Sequence, residues 1–242
     1  MDKYLYHFFH KWIDIGSNIS VHIPKDKNLW PEKWTNTEYK NYSLLESIKL
    51  NEVKNSNFFD LLNKRVSQRD KLKNNKICLI NLSHILKCAY GEIIDITGRV
   101  HRTSPSGGAR YSLEIYLIIF KDTEDIRAGF YHYNIKYHTL EPLRFKNFSK
   151  EEVKSFNGYE FVHTANGIIC ITSVFDRSTR KYGSVGYKLI LLEAGHVGQN
   201  ICIAGVEKDV SFCGLGRSNN ILIENEIGIN SLNESVVYTM AF

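Results

Sequence analysis

Four short stretches carry residue types suited to chemistry. Arg65, Ser67 and Arg69 lie within the five residues RVSQR, so two guanidiniums flank a hydroxyl. Arginine forks match phosphate oxygens bidentately, and a serine adds a neutral donor. Cations at a helix end can equally just complement its dipole. Pro105, Ser106, Gly107 and Gly108 stand between Arg102 and Arg110 in RTSPSGGAR. Paired glycines let a backbone approach a flat or anionic ligand closely, because no Cβ intervenes. An ordinary tight turn before a strand uses the same residues. The third stretch is CGLGRS, with Gly214, Gly216 and Arg217. Amides ahead of a helix can meet a phosphate there. Asn219 occupies the last glycine position of a GxGxxG and no βαβ opening precedes it, so a dinucleotide fingerprint is excluded. The fourth is the pair Lys181 and Tyr182 in RSTRKYGSVGYK. Lysine and tyrosine side chains move protons, yet they ordinarily titrate near ~10 and are poor bases at neutral pH unless burial or a neighbouring cation intervenes. A basic surface turn with packed tyrosines is the bland alternative. Neighbours on a strand face opposite sides, so this pair can serve one cavity only from a loop or a helix start.

The histidines carry less. His84 and Cys88 are spaced i, i+4, but two ligands do not make a zinc site. His196 lies inside an apolar helical pattern and is expected as a hydrogen-bonded core residue. No Walker loop, GxSxG elbow or HExxH occurs.

The elements that must position these residues come from a chain of 242 residues with 43% apolar and 24% charged residues and a net charge of +5. That composition is globular and excludes disorder, collagen and repeat arrays. The mild basicity permits an anionic ligand without demanding nucleic acid, and no nucleic-acid module is recognisable. No run approaches the ~18 consecutive apolar residues of a membrane span. The start, MDKYLYHFFHKW, lacks a basic opening and a cleavage site, so no signal peptide is expected. Five scattered cysteines without a CxxC fit a reducing cytoplasm rather than a disulfide framework.

Residues 1–50 hold all three tryptophans, Trp12, Trp30 and Trp34, and read as an aromatic N-terminal extension that docks on its own domain or on a second subunit. Residues 51–242 read as one domain. SNFFDLLNKR opens with cap-type residues and reads as a helix, and NLSHILKCAYG as another, with Leu82, Ile85, Leu86 and Ala89 on one face and Gly91 as C-cap. Residues 113–120 and 167–175 read as buried strands, and residues 129–143 as a hairpin turning near Asn134 and Lys136. KEEVKSF reads as a short helix, and residues 186–207 as the longest and most apolar helix, central to the fold. A short helix over residues 219–227 and a final strand, VVYTMAF, close the chain. This irregular alternation implies an α+β fold with a mostly antiparallel sheet covered by helices.

Taken in order, these pieces resemble a known family. RVSQR is similar to the RxSxR signature of nitroreductase-fold flavoproteins, and SPSGGARYSLEIYLI to the PSGGAxYPxExY stretch of the SagB-type branch. FYHYNIKYHTLEPL, KYGSVGYKLILLEAGHVGQN and CGLG follow in that branch's order, so the resemblance covers about residues 55–242. The resemblance implies the nitroreductase α+β fold and a homodimer with FMN at the subunit interface. It implies an azoline dehydrogenase that oxidises thiazoline or oxazoline rings of a peptide to thiazole or oxazole, in antibiotic-type biosynthesis, after a cyclodehydratase, either alone or within a synthetase complex. By the same resemblance Arg65, Ser67 and Arg69 hold the phosphate and ribityl chain, and Pro105, Ser106, Gly107 and Gly108 lie along the isoalloxazine. Gly214 and Gly216 approach the phosphate end, and Lys181 with Tyr182 matches the catalytic pair. Two departures stand out. Ser112 occupies a position that is usually proline, and the sequence stops at Phe242 without a basic tail, which leaves the phosphate to Arg65, Arg69 and Arg217. The competing expectations are an NAD(P)H-dependent flavin reductase of nitro, quinone or dehydroamino-acid substrates, and a flavin-free docking subunit of a synthetase complex.

Overall fold

The computed structural model describes residues 5–16, 24, 26–35, 37–42, 44–52, 56–67 and 69–242. Its helices are α1 (Leu5–Gly16), α2 (Glu32–Thr35), α3 (Asn57–Lys64), α4 (Leu79–Tyr90), α5 (Lys150–Phe156), α6 (Asp176–Tyr182), α7 (Val185–Glu207) and α8 (Asn220–Ile227). The strands are β1 (Glu92–Ile94), β2 (Val100–Arg102), β3 (Leu113–Ile119), β4 (Gly129–Asn134), β5 (Thr139–Phe145), β6 (Gly167–Val174), β7 (Cys213–Leu215) and β8 (Glu234–Ala241). The first two strands form a small separate hairpin. The other six make one sheet in the order β5-β4-β3-β6-β8-β7, antiparallel at every pairing.

Local chemistry sets many of these boundaries. Ser56 caps α3, its hydroxyl accepting the Phe59 amide at 3.2 Å. Ser149 and Glu152 close a capping box at α5. Gly91 ends α4 as expected, but in an extended rather than left-handed conformation. A side chain there would collide with Lys87, which accounts for the glycine.

Period-two alternation divides the strands between two cores. Leu113, Ile115, Leu117 and Ile119 of β3 face the layer of α4 and α7, where Leu82, Ile85, Leu86 and Ala89 form the predicted buried stripe. Tyr116 and Ile118 face the opposite layer, packed with Val153 and Phe156 of α5 and Ile223 and Ile227 of α8. Helix α7 is long and apolar enough to cross a membrane by length and composition, yet ten of its residues are buried in the body of the fold. Its exposed stripe runs Lys188, Leu191, Leu192, Gly195, His196 and Gln199. His196 is therefore not a core residue, contrary to the sequence expectation: the i, i+3, i+4 spacing of that stripe carries it to the face turned away from the sheet.

The N-terminal helix α1 packs on this domain. Tyr6 packs against Phe175 and Tyr187. His10 is buried between the Tyr187 hydroxyl and Ser235, at 3.1 Å from each, while Lys11 pairs with the buried Glu224 at 3.0 Å. Leu5, Phe8, Phe9, Trp12 and Ile13 remain exposed on its other side. Burial, together with the nearby Lys11 charge, lowers the His10 pKa from 6.5 to about 4. A histidine depressed on folding contributes stability that is present above 6.5 and lost as pH falls through about 4. The unfolding free energy from urea titrations should fall across that window, by at most about 1.4 kcal/mol per pH unit from this group. The slope should flatten in His10→Gln; an unchanged slope would show that His10 is not the group responsible.

Candidate functional site

Lys181 and Tyr182 end helix α6, so they lie neither on a strand nor at a helix start, and the geometric conflict of a strand does not arise. Gly183 terminates the helix at φ 56°, with its amide bonded to the Thr179 carbonyl. Both side chains then reach Gly108. A Cβ built on Gly108 would overlap the Tyr182 hydroxyl and stand 3.3 Å from Lys181 Nζ. Lys181 Nζ also lies over the Tyr182 ring, 5.1 Å from its centroid. The sheet and α7 thus bring two stretches about seventy residues apart to one point.

The glycine turn is held in a rare backbone conformation. Gly108 (φ 62°), Ala109 (φ 51°) and Tyr111 (φ 47°) all occupy the left-handed region within four residues. A bulky residue such as tyrosine pays for that conformation unless its surroundings over-determine it, and such strain clusters at functional sites. Here the surroundings do. The Ser106 hydroxyl accepts the Tyr111 amide at 2.9 Å and donates to Glu193 at 2.7 Å. Glu193 also accepts from the Tyr90 hydroxyl and, at 3.4 Å, from Ser112. Arg102 stands 3.3 Å from Glu92 and stacks over the rings of Tyr90 and Tyr111, 5.6 Å from each centroid.

Glu193 was not singled out from sequence. The available signal was one acid in the interior of an otherwise apolar helix. It is 3% exposed, and burial raises its pKa despite the four hydrogen bonds that favour the charged form. Glu193 likewise adds to burial in pushing the Tyr90 hydroxyl up. Ser112, the departure from proline, supplies both a hydroxyl and an amide to this carboxyl. Removing the carboxyl takes the acceptor from three hydroxyls, two of them on the buried Tyr90 and Ser112. Glu193→Ala should therefore cost about 3 kcal/mol, lowering Tm by roughly 6–12 °C for a domain of this size. A Tm within two degrees of wild type would show that the network carries little.

The arginine stretch lies at the other end of α7. Arg65 caps α3 and lines a cleft of about 820 Å³ with Lys64, Lys71, Cys202, Val206, Glu207 and Phe212, among others. Its charge reaches the Cys202 thiol, although burial dominates there and pushes that thiol up to about 11. Glu207 is taken up by His84 at 2.9 Å, and His84 in turn lies 3.5 Å from Cys88. Ser67 is exposed, Gln68 lies outside the described residues, and Arg69 stacks over Phe161 at 5.3 Å. RVSQR thus sends Arg65 into the cleft and Arg69 to a neighbouring aromatic, and Lys71 joins Arg65 instead. Gly214 lies against Tyr238, whose hydroxyl a side chain there would strike, and Tyr238 also fills the space beside Gly198 of α7. Gly216 and Arg217 line a separate cleft of about 210 Å³ with His10 and Tyr187.

One chain does not enclose all the predicted ligand-binding residues. Gly107 rests on Leu189, whereas Arg65 shares its cleft with Cys202. Thirteen residues of helix separate those two positions, roughly 20 Å along the axis.

The Nitroreductase family profile matches residues 62–242 of this chain. Among similar sequences, "Putative nitroreductase MJ1384" of Methanocaldococcus jannaschii is 32% identical over 154 residues, 64% of this chain and 75% of that protein. The microcin B17-processing protein McbC of Escherichia coli is 30% identical over 133 residues, covering 52% of this chain and 47% of that protein. The trifolitoxin-processing protein TfxB of Rhizobium leguminosarum bv. trifolii is 23% identical over 57% of this chain and 38% of its own length. The aligned segment therefore spans less than half of each of these two processing proteins. In solved structures, the fold superposes with TM-score 0.74 on a chain of the E. coli microcin synthetase McbBCD complex with truncated pro-MccB17 bound, at 19% identity and over 100% of this chain and 93% of that one. The α+β architecture expected from sequence is thus the one observed, and the chain belongs to the nitroreductase family, whose members generally bind flavin, with its resemblance directed to the SagB-type branch.

Proposed function

We propose that this protein is an FMN-dependent azoline dehydrogenase that oxidises thiazoline or oxazoline rings in a peptide to thiazole or oxazole. The observation that carries the proposal is the meeting of Lys181 Nζ and the Tyr182 hydroxyl at the exposed glycine turn. The likeness to proteins that process microcin B17 and trifolitoxin supports a peptide substrate, and the likeness to a microcin synthetase supports work within a synthetase complex.

The residues present fit FMN when two copies are considered. Arg65 and Lys71 offer the cations a phosphate needs. The turn at Pro105 and Gly108 is exposed and offers backbone to a flat ring. These two groups sit at opposite ends of α7, so a two-fold axis near its middle would bring the arginine end of one copy to the glycine end of the other. The exposed stripe with Leu191 and Leu192 is the apolar surface such a homodimer would cover. In this arrangement the exposed Ser67 and Pro105 supply further contacts, while Arg69 stays on Phe161, Gly214 on Tyr238, and Gly216 and Arg217 in their separate cleft.

When bound, FMN supplies the acceptor for a hydride from the azoline ring. The chain's task is the accompanying proton. Lys181 Nζ takes it from the ring carbon, Tyr182 orients or relays, and the bare Cα of Gly108 is what lets the Tyr182 hydroxyl and Lys181 Nζ come together there. Two hydrogens leave the ring, one as a proton and one as hydride, and dioxygen is the terminal oxidant. A second reading, NAD(P)H-dependent reduction, is favoured by the 32% identity to the archaeal protein. Anaerobic visible spectra of the flavin-loaded protein separate the two. Bleaching by a thiazoline peptide and not by NADPH supports the dehydrogenase; the reverse supports the reductase.

A further inference from the structure

We propose that the cleft beside Lys181 is an anion subsite that recognises a carboxylate on the peptide flanking the reacting ring. Its place in the reaction rests on the azoline-dehydrogenase reading; the presence of the subsite does not. The cleft measures about 560 Å³ and is lined by Arg110, Val174, Asp176, Arg177, Arg180 and Lys181. Three of these six residues are arginines. The cleft is continuous with the reaction turn, because Lys181 both forms its wall and neighbours Gly108, while Arg110 follows Gly108 by two residues. A ring held over Gly108 therefore leaves the adjoining peptide beside the guanidiniums.

The positive groups are not all committed to carboxylates of the protein. Arg177 is, lying 2.5 Å from Glu114 and also donating to the Tyr111 carbonyl at 3.4 Å. Arg180 meets Asp176 one turn back at 3.2 Å, but the two side chains are 81% and 56% exposed, where such a pair holds weakly. Arg110 donates through Nε to the Arg177 carbonyl at 3.2 Å, which orients its fork without neutralising it. Lys181 leans over the Tyr182 ring. Two carboxylates, Glu114 and Asp176, thus face three guanidiniums, and Arg110 meets a backbone carbonyl rather than a carboxylate. Arginine forks receive a carboxylate bidentately, and the same charge repels a lysine or arginine next to the ring. A dinucleotide phosphate would meet the same forks, so the test includes one.

The test is calorimetric titration of the full-length protein with acetylated hexaglutamate, hexalysine and NADPH, in wild type and in the double variant Arg110→Ser/Arg180→Ser. Arg177 is left intact because it braces the Tyr111 turn. The expected result is binding of hexaglutamate but not hexalysine, weakened about ten-fold in the double variant and by added salt. Equal binding of both peptides, or hexaglutamate binding unaffected by the substitutions, overturns the subsite. Arginine-dependent binding of NADPH without hexaglutamate binding also overturns it, by assigning the cleft to a phosphate. A kinetic arm uses two synthetic peptides with Glu or Gln after the thiazoline. The double variant should raise KM for the Glu peptide about ten-fold and change kcat far less. Arginine-dependent hexaglutamate binding in a protein that oxidises neither peptide would sink the azoline reading and leave the subsite standing. Oxidation of both peptides alike, with no dependence on the arginines, would do the opposite.

Discussion

Lys181→Ala is expected to retain flavin and fold yet lose about 10²–10⁴ of its azole-forming rate, the range a positioned general base contributes. The retention follows from placement. Lys181 is exposed at the end of α6 and belongs to no buried network, so truncating it strands no buried partner. The residues assigned to the phosphate lie at the far end of α7. Lys181→Arg sharpens the test. Arginine keeps the positive charge and reach but cannot act as a base, because it does not deprotonate in proteins. If Lys181 takes the proton, the arginine variant should be nearly as inactive as the alanine variant. If it serves only as a local charge, arginine should recover most of the rate. Azole formation by Lys181→Ala at the wild-type rate would remove the residue from the mechanism.

Gly108→Ala should lower turnover about a hundred-fold, the order of loss produced by displacing a reacting group by ~1 Å. Two effects combine. The new Cβ overlaps the Tyr182 hydroxyl, and the position holds φ 62°, where alanine costs about 1–2 kcal/mol. The hydroxyl is the free end of a half-buried side chain, so Tyr182 can swing aside and the fold survives. What is lost is its meeting with Lys181. A double-mutant cycle separates this from general loosening. Tyr182→Phe removes the atom that clashes, so Gly108→Ala should cost much less in that background than in wild type. Additive losses would show that the glycine acts through the turn alone.

The sequence and the structure agree best where periodicity is strong. The stripe of Leu82, Ile85, Leu86 and Ala89, the alternation along β3 and the apolar length of α7 all follow from local pattern, and each element lies within a few residues of its expected limits. Elements without an apolar face were less legible. RSTRKY has no hydrophobic period and reads as a turn, yet it forms α6, secured by Tyr6 contacting Thr179 and by α7 packed behind it. The separate β1–β2 hairpin also went unseen, its burial being too slight to impose alternation.

The site divides the same way. Residue types pointed to the glycine turn and to the Lys-Tyr pair, but their meeting is a tertiary fact that spacing cannot express. The divergence of Arg65 and Arg69 is similar, since no period governs the direction of a chain after its helix ends. Glu193 is the reverse case. A single carboxyl in an apolar helix looks like a flaw in the pattern until Ser106, Ser112 and Tyr90 close around it.

The most direct test of azoline oxidation is the mass of a synthetic thiazoline peptide after incubation with the flavin-loaded protein in air. A loss of two hydrogens per ring, abolished in Lys181→Ala, is the predicted result. An unchanged peptide mass, with the protein folded, flavin-loaded and reducible by NADPH, would contradict the assignment and place the protein among the reductases.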